Sequence, residues 1–197
     1  MERFLIWFMH PEKNSFNGAV QDVFQKELQK LGKETEARFI SELDMSLTLT
    51  RGEYTDSLHG EYPAEIEREH RYIEWADGII LMFPLWWGSF PAVGKGFLDR
   101  VLSYGFAYEL EGETPVPRMS GKKVGAVYTT GTPDEVFAGT RTVLEQLWEE
   151  QIFSFCGFDC MRFVHLGNVV QTGDQHRKQM LEEVKAYARE LAALSTS

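Results

Sequence analysis

Five times along the chain, a short apolar run gives way to a segment whose apolar residues recur at helical spacing. No other feature limits the fold as much. The runs are Phe4–Met9, Thr35–Ile40, Gly78–Phe83, Lys123–Tyr128 and Met161–Leu166. Their length and their content of β-branched and aromatic residues are those of strands. Between them, Phe16, Val20, Val23, Phe24, Leu28 and Leu31 form one stripe, with Gly32 as its stop signal. Helical stretches follow at Ala64–Trp75 and Ala92–Tyr104. Val136, Thr140, Val143, Leu144, Leu147 and Trp148 then share one face. The last stripe is Met180, Leu181, Val184, Ala188, Leu191 and Ala192, before a polar tail at Ser195, Thr196 and Ser197.

Strand and helix in alternation build βαβ units, and these give a parallel sheet covered on both faces. The expected fold is therefore α/β: a three-layer sandwich around a five-stranded parallel sheet, one domain over residues 1–197. With five strands, the flavodoxin-like order 2-1-3-4-5 leads, ahead of a six-stranded Rossmann domain. Such sheets bind ligands beyond the carboxyl ends of their strands, at the switch point beside the first strand. Function is then expected after strands one, three and four. Asp44–Tyr62 matches no element and reads as a flap, a subunit contact or an ordered excursion.

The formal charge is −10, from 20 Lys and Arg against 30 Asp and Glu. That balance argues against nucleic-acid binding and anionic lipid surfaces. Gly78–Gly94 carries no charge, but it is shorter than a spanning helix and is interrupted by Pro84 and Pro91, so no membrane insertion is expected. Phe4–Met9 is too short for a signal-peptide core. Cys156 and Cys160 do not match the C-x-x-C redox spacing and are expected to be reduced, as in the cytoplasm.

The first strand is followed by His10-Pro11-Glu12-Lys13-Asn14-Ser15-Phe16-Asn17. Asn14 or Ser15 suits an N-cap. The free amides of the next turn favour a phosphate, to which His10, Lys13, Ser15 and Asn17 could add donors. An ordinary capped helix accounts for the same residues. The third strand is followed by Pro84-Leu85-Trp86-Trp87-Gly88-Ser89-Phe90-Pro91. Paired tryptophans in a rigid turn suit either the rim of a planar heterocycle or a subunit interface. Thr129-Thr130-Gly131-Thr132 follows the fourth strand and offers donors without bulk.

Other chemistries lack their motifs. There is no G-x-x-x-x-G-K-[ST] and no G-x-S-x-G, and Gly94-Lys95-Gly96 lies inside a helical pattern. His10, His59, His70, His165 and His176 are scattered and do not have metal-ligand spacing. An enzyme built this way would depend on an organic cofactor.

Phe83–Ala92, Lys95–Val101 and Gly105–Tyr108, in that order, resemble the flavodoxin-like NAD(P)H:quinone oxidoreductases. That family includes DT-diaphorase, the modulator-of-drug-activity reductases and the ancillary flavoproteins of glutathione-gated potassium efflux. His10–Asn17, Thr129–Gly131 and Phe155–Phe158 match in the same sequence order. The resemblance implies that His10, Asn14, Ser15, Phe16 and Asn17 hold a flavin phosphate and ribityl chain. It puts Pro84, Leu85, Trp86, Trp87 and Gly88 along one edge of the isoalloxazine and Thr129, Thr130, Gly131 and Thr132 along another. Tyr108 would cover the substrate pocket, reaching into the partner's site in a homodimer. Trp87, Tyr108, Gly131 and Thr132 would then act in catalysis, with NAD(P)H and a quinone or other aromatic acceptor alternating in a ping-pong cycle.

Larger members of the family carry a Tyr and a His after the T-T-G motif, whereas Pro133–Arg141 here has Phe137 and neither of those. The shorter middle insert and missing C-terminal extension favour FMN, with FAD the alternative. Two other functions compete with the enzyme: a regulatory flavoprotein of a potassium-efflux transporter and a one-electron carrier of flavodoxin type.

Overall fold

The computed structural model describes residues 1–194, so the Ser195–Ser197 tail lies outside the described residues. In chain order the strands are β1 (Arg3–Phe8), β2 (Glu34–Phe39), β3 (Gly78–Pro84), β4 (Tyr108–Glu111), β5 (Thr114–Pro117), β6 (Lys123–Thr129) and β7 (Asp159–Leu166). The helices are α1 (Phe16–Lys30), α2 (Arg51–Ser57), α3 (Ala64–Trp75), α4 (Ala92–Val101), α5 (Asp134–Trp148), α6 (Ser154–Cys156) and α7 (Asp174–Ala193).

The five expected strands form one sheet in the order β2-β1-β3-β6-β7, with every neighbouring pair parallel. Counting only sheet strands, this is the expected 2-1-3-4-5 order. Alternation along each strand separates two apolar layers. Phe4, Ile6, Phe8, Ile80, Met82, Val127 and Val164 meet α1 and α7 through Val20, Phe24, Leu28, Val184 and Leu191. Leu5, Trp7, Met9, Leu81, Phe83, Val124 and Tyr128 face the other way, against Ile66, Ile73, Phe97, Val101, Phe137 and Trp148 of α3, α4 and α5. Strands buried on both faces need continuous apolar runs, which is why the runs were so conspicuous in the sequence.

Three expectations change. Asp44–Tyr62 contains α2, capped by Thr50 and tied to α4 by the buried Arg100, which bonds Glu53 at 2.7 Å and Glu65 at 3.0 Å. The third helical stretch ends at Val101 rather than Tyr104, and the chain continues into the β4–β5 hairpin. On α5 the expected face is only partly turned inward. Phe137 and Trp148 are buried, whereas Val136, Val143 and Leu147 are 74%, 66% and 51% exposed. Arg141 causes part of this rotation: it lies on the inward side, bonding Glu145 and the carbonyl of Phe163.

Candidate functional site

The carboxyl ends of β1, β3 and β6 are neighbours, and each opens into a loop with backbone N–H groups left unpaired among the described residues. After β1, Ser15 caps α1 by accepting the Gly18 N–H on its Oγ at 3.2 Å. The amides of Ser15, Phe16 and Asn17 have no partner. Gly18 is required here: a Cβ would lie 1.7 Å from the Lys13 carbonyl oxygen, so only glycine lets the loop fold back onto its own helix.

The loop's charged groups are partly engaged with one another. Lys13 pairs with Glu42 at 2.6 Å and lies over the Phe39 ring at 3.8 Å. Glu12 accepts the Asn14 amide at 2.8 Å. His10 accepts the Glu12 amide on Nδ1 at 2.9 Å, with its ring 5.7 Å from that of Trp86. Asn17 turns inward, its buried amide donating to Thr129 Oγ1 at 3.0 Å and so joining this loop to the end of β6.

After β3, Trp86 and Ser89 exchange both backbone hydrogen bonds, at 3.1 and 3.0 Å. Between them Trp87 and Gly88 have φ of +54° and +72°, the two positive values of a type I′ turn. Gly88 takes that shape without cost; a non-glycine residue there is strained by about 1 to 2 kcal/mol. The Trp87 side chain gains no packing in return, being 104% exposed, while Trp86 is 43% exposed. The amides of Trp87 and Gly88 are unpaired among the described residues, whereas the Leu85 amide is taken by Thr129 O at 2.8 Å. A hollow of about 400 Å³ lies against the turn, lined by Pro11, Trp86, Trp87, Phe90, Pro91 and Val93.

After β6, the hydroxyls of Thr129 and Thr130 are buried and used internally. Thr129 meets Asn17, and Thr130 bonds Thr132 O at 2.9 Å and His165 Nε2 at 2.8 Å. The amides of Gly131 and Thr132 remain unpaired among the described residues. Of the expected donors after β6, the backbone of Gly131 and Thr132 and the Thr132 hydroxyl are therefore what is available to a ligand.

Tyr108 lies elsewhere. It starts β4, edge-on to Phe155 at 4.9 Å and to Tyr104 at 5.8 Å, and burial pushes its phenol above the ordinary value, keeping it protonated at neutral pH. The hollow beside it, about 300 Å³, touches α4 at Lys95, Leu98 and Asp99. The hollow at the tryptophan turn touches the first residues of α4, Ala92 and Val93. On α4 the two linings come within two residues of each other, at Val93 and Lys95, about 3 Å along the helix. The larger hollow of about 490 Å³, bordered by Glu36, Arg68, Arg71, Tyr72 and Trp75, is on the α3 and β2 flank, away from the strand ends.

The sequence reading did not find His165. It lies opposite Tyr128 in the β6–β7 register, and its ring is 4.8 Å from that of Phe137. It thus brings an imidazole beside the segment Pro133–Arg141, which has none of its own. The only signal was a polar residue inside the apolar run Phe163-Val-His-Leu166. Among the described residues, no three His, Cys, Asp or Glu side chains come together to hold a metal, and no helix is long and apolar enough to cross a membrane.

A family profile described as flavodoxin-like fold matches residues 2–191. The chain is 33% identical over 181 residues to a protein of Haemophilus influenzae named as an uncharacterized NAD(P)H oxidoreductase, the match covering 90% of each chain. It is 30% identical to the ribosyldihydronicotinamide dehydrogenase (quinone) of Mus musculus, covering 91% of this chain and 87% of that one. Among solved structures, an NAD(P)H:quinone oxidoreductase from Methanothermobacter marburgensis aligns with a TM-score of 0.85 and 27% identity, covering 96% of this chain and 98% of the other.

Proposed function

The chain belongs to the flavodoxin-like family, and from that membership we propose that it is an oxidoreductase passing electrons from NAD(P)H to a quinone or another aromatic acceptor through bound FMN. The observation that carries this reading is the convergence of unpaired amides at three adjacent strand ends, beside an exposed indole held in a strained turn. A flavin mononucleotide has a phosphate, a polar chain and a planar ring with acceptors on its rim, and these loops complement each part.

The amides of Ser15, Phe16 and Asn17, at the positive end of α1, would bind the phosphate, with His10 and Asn14 beside it. Pro84, Leu85 and Trp86 would border the ring, and the amides of Trp87 and Gly88 would donate to its edge. The amides of Gly131 and Thr132 would donate to the opposite edge, where negative charge collects on reduction. Thr129 and Thr130 would hold that edge in shape from within. When bound, FMN supplies a ring that takes a hydride from NAD(P)H and gives two electrons to the acceptor. Donor and acceptor would occupy the same place against Trp87 in turn, each leaving before the other enters, and the rigid turn would align them.

Tyr108 does not line the hollow at the turn, and this supports a homodimer, in which the partner's hairpin would complete each pocket. The exposed apolar residues of α5 offer further surface for such contact. The proposed unit is one domain acting in the cytoplasm, where Cys156 and Cys160 would stay reduced.

The test is the visible spectrum of the purified full chain, chromatography of the released cofactor, and NAD(P)H oxidation with a panel of quinones and nitro or azo compounds. A flavin spectrum, FMN on release and turnover with a member of the panel are expected. A colourless protein that takes up neither FMN nor FAD would overturn the reading. Release of FAD would correct the cofactor alone.

A further inference from the structure

His165 is the penultimate residue of β7, and its side chain is 0% exposed. Alternation along the strand turns it toward α5, between the rings of Tyr128 at 5.0 Å and Phe137 at 4.8 Å. An imidazole so enclosed needs a polar partner for each nitrogen. Nε2 has one in Thr130 Oγ1 at 2.8 Å. Nδ1 is 2.6 Å from Asp134 Oδ1, but off the line of an N–H bond, so the ring has no well-directed partner on that side. The Asp134 side chain is 60% exposed and free to rotate into line.

The Thr130 hydroxyl has one proton and two acceptors within reach, Nε2 of His165 and the carbonyl oxygen of Thr132. These choices exclude each other. When Nε2 is bare, Thr130 donates to the ring and the Thr132 carbonyl keeps only the Asn168 amide, at 3.0 Å. When Nε2 carries a proton, the ring donates to Thr130, whose own proton turns to Thr132 O and closes the turn over Gly131. The segment that begins at Thr130, bonded to the ring, and runs to Asp134, whose carboxylate lies 2.6 Å from Nδ1, includes the unpaired amides of Gly131 and Thr132.

We propose that His165 is a positioning residue: by choosing which bond Thr130 makes, it sets how the Gly131 and Thr132 amides are presented to the electron-rich edge of a bound ligand. For a flavin as that ligand, the inference rests on the function proposed above. The groups facing the ring are Thr130 and Tyr128 from β6, and Phe137, Asp134, Arg141 and Glu145 from α5. Burial lowers the basicity of the ring and Arg141 adds to this, while Asp134 and Glu145 oppose it; the net direction is down. Burial thus favours the neutral ring; with its proton on Nδ1, facing the Asp134 carboxylate at 2.6 Å, Thr130 is turned toward Nε2, and negative charge brought to the turn favours the protonated arrangement.

The experiment combines NMR and flavin binding on the purified full chain. With labelled histidine and backbone nitrogen, the His165 ring is titrated while the Gly131 and Thr132 amides are followed, and the titration is repeated in Thr130→Val. The two amides should shift with the same midpoint as the ring, and Thr130→Val should uncouple them. FMN dissociation constants are then measured across pH for the natural chain, His165→Gln and His165→Phe. Affinity in the natural chain should rise about fivefold or more as pH falls through the ring's titration. His165→Gln keeps a donor for Thr130 without a titrating proton; it should still bind FMN but lose that step.

Amides that stay still while the ring titrates, or a pH step that survives in His165→Gln, would overturn the proposal. Complete lack of flavin uptake would overturn the proposed function instead and leave the NMR arm as the test of His165.

Discussion

The loop Tyr104–Tyr108 rests on a buried histidine, which makes folding stability sensitive to mild acid. His70, on α3, is 5% exposed. Its ring stacks on Phe106 with centroids 3.5 Å apart and planes within 8°, and it meets the edge of Tyr62 at 4.8 Å. Nε2 donates to the Val101 carbonyl at 3.1 Å, and Tyr62 donates its hydroxyl to Tyr104 O at 2.7 Å. Burial pushes the ring down to about 4 from an ordinary value of 6.5. Because the folded value is the lower one, the unfolded chain takes a proton that the folded ring refuses, so stability is lost as pH falls from about 6.5 toward 4.

The full shift corresponds to about 3 kcal/mol, of which about 2 kcal/mol is lost by pH 5. For a chain of this size that is about 4 to 8 °C in Tm. The assay is urea unfolding at pH 8 and pH 5, comparing the natural chain with His70→Gln, which keeps a donor for Val101 and does not titrate. Other titrating groups, His165 among them, are common to both proteins and cancel in the difference. The natural chain should lose about 2 kcal/mol more than the variant between the two pH values. Equal losses in both would refute the reasoning.

Other substitutions test the strand ends. Trp87→Ala should weaken flavin binding or slow turnover while leaving stability within about 0.5 kcal/mol, because the indole packs on nothing; thermal melts and flavin titration read the two effects separately. Gly18→Ala drives a Cβ into the Lys13 carbonyl and should cost about 1 to 3 kcal/mol, with flavin affinity falling about tenfold or more if the loop after β1 holds the phosphate as proposed. Asn17→Ala leaves the buried Thr129 hydroxyl without its partner and should cost about 1 to 3 kcal/mol in urea unfolding. Val143→Glu places a charge on the exposed face of α5; if that face is the contact between copies, light scattering will show a dimer becoming a monomer.

The sheet was legible because strands covered on both faces cannot be disguised: Phe4–Met9 and Gly78–Phe83 have nowhere to put a polar residue. The tryptophan turn was legible for the opposite reason, since Trp86-Trp87-Gly88 puts costly apolar surface where loops are normally polar. What stayed hidden depends on contacts between distant segments. The approach of His165 to Thr130 follows from the register of β6 on β7 and leaves no trace in spacing. α2 is held by Arg100 from a later helix. The β5 strand, Thr114-Pro-Val-Pro117, has two prolines, which argue against a strand anywhere but at an edge.

Beyond α5 the helical period itself changes. Beyond Trp148 the chain makes a π-helical turn, Glu149–Phe153, before α6. The buried positions Trp148 and Phe153 are therefore five residues apart, a step that no search for a 3.6-residue period would follow.

That surplus residue has a reach of its own. One residue inserted into a helix turns everything after it by about 100°, and what comes after it here is Phe155, the ring packed edge-on against Tyr108. Deleting a single position between Glu149 and Ile152 would swing that ring out of the wall it forms and reshape the hollow beside Tyr108, with Trp87 and the three amide loops untouched. Chains built on this sheet can thus diverge in the shape of the hollow beside Tyr108 through a change of length in one helix, a kind of variation that comparing residue identities at the strand ends would never register.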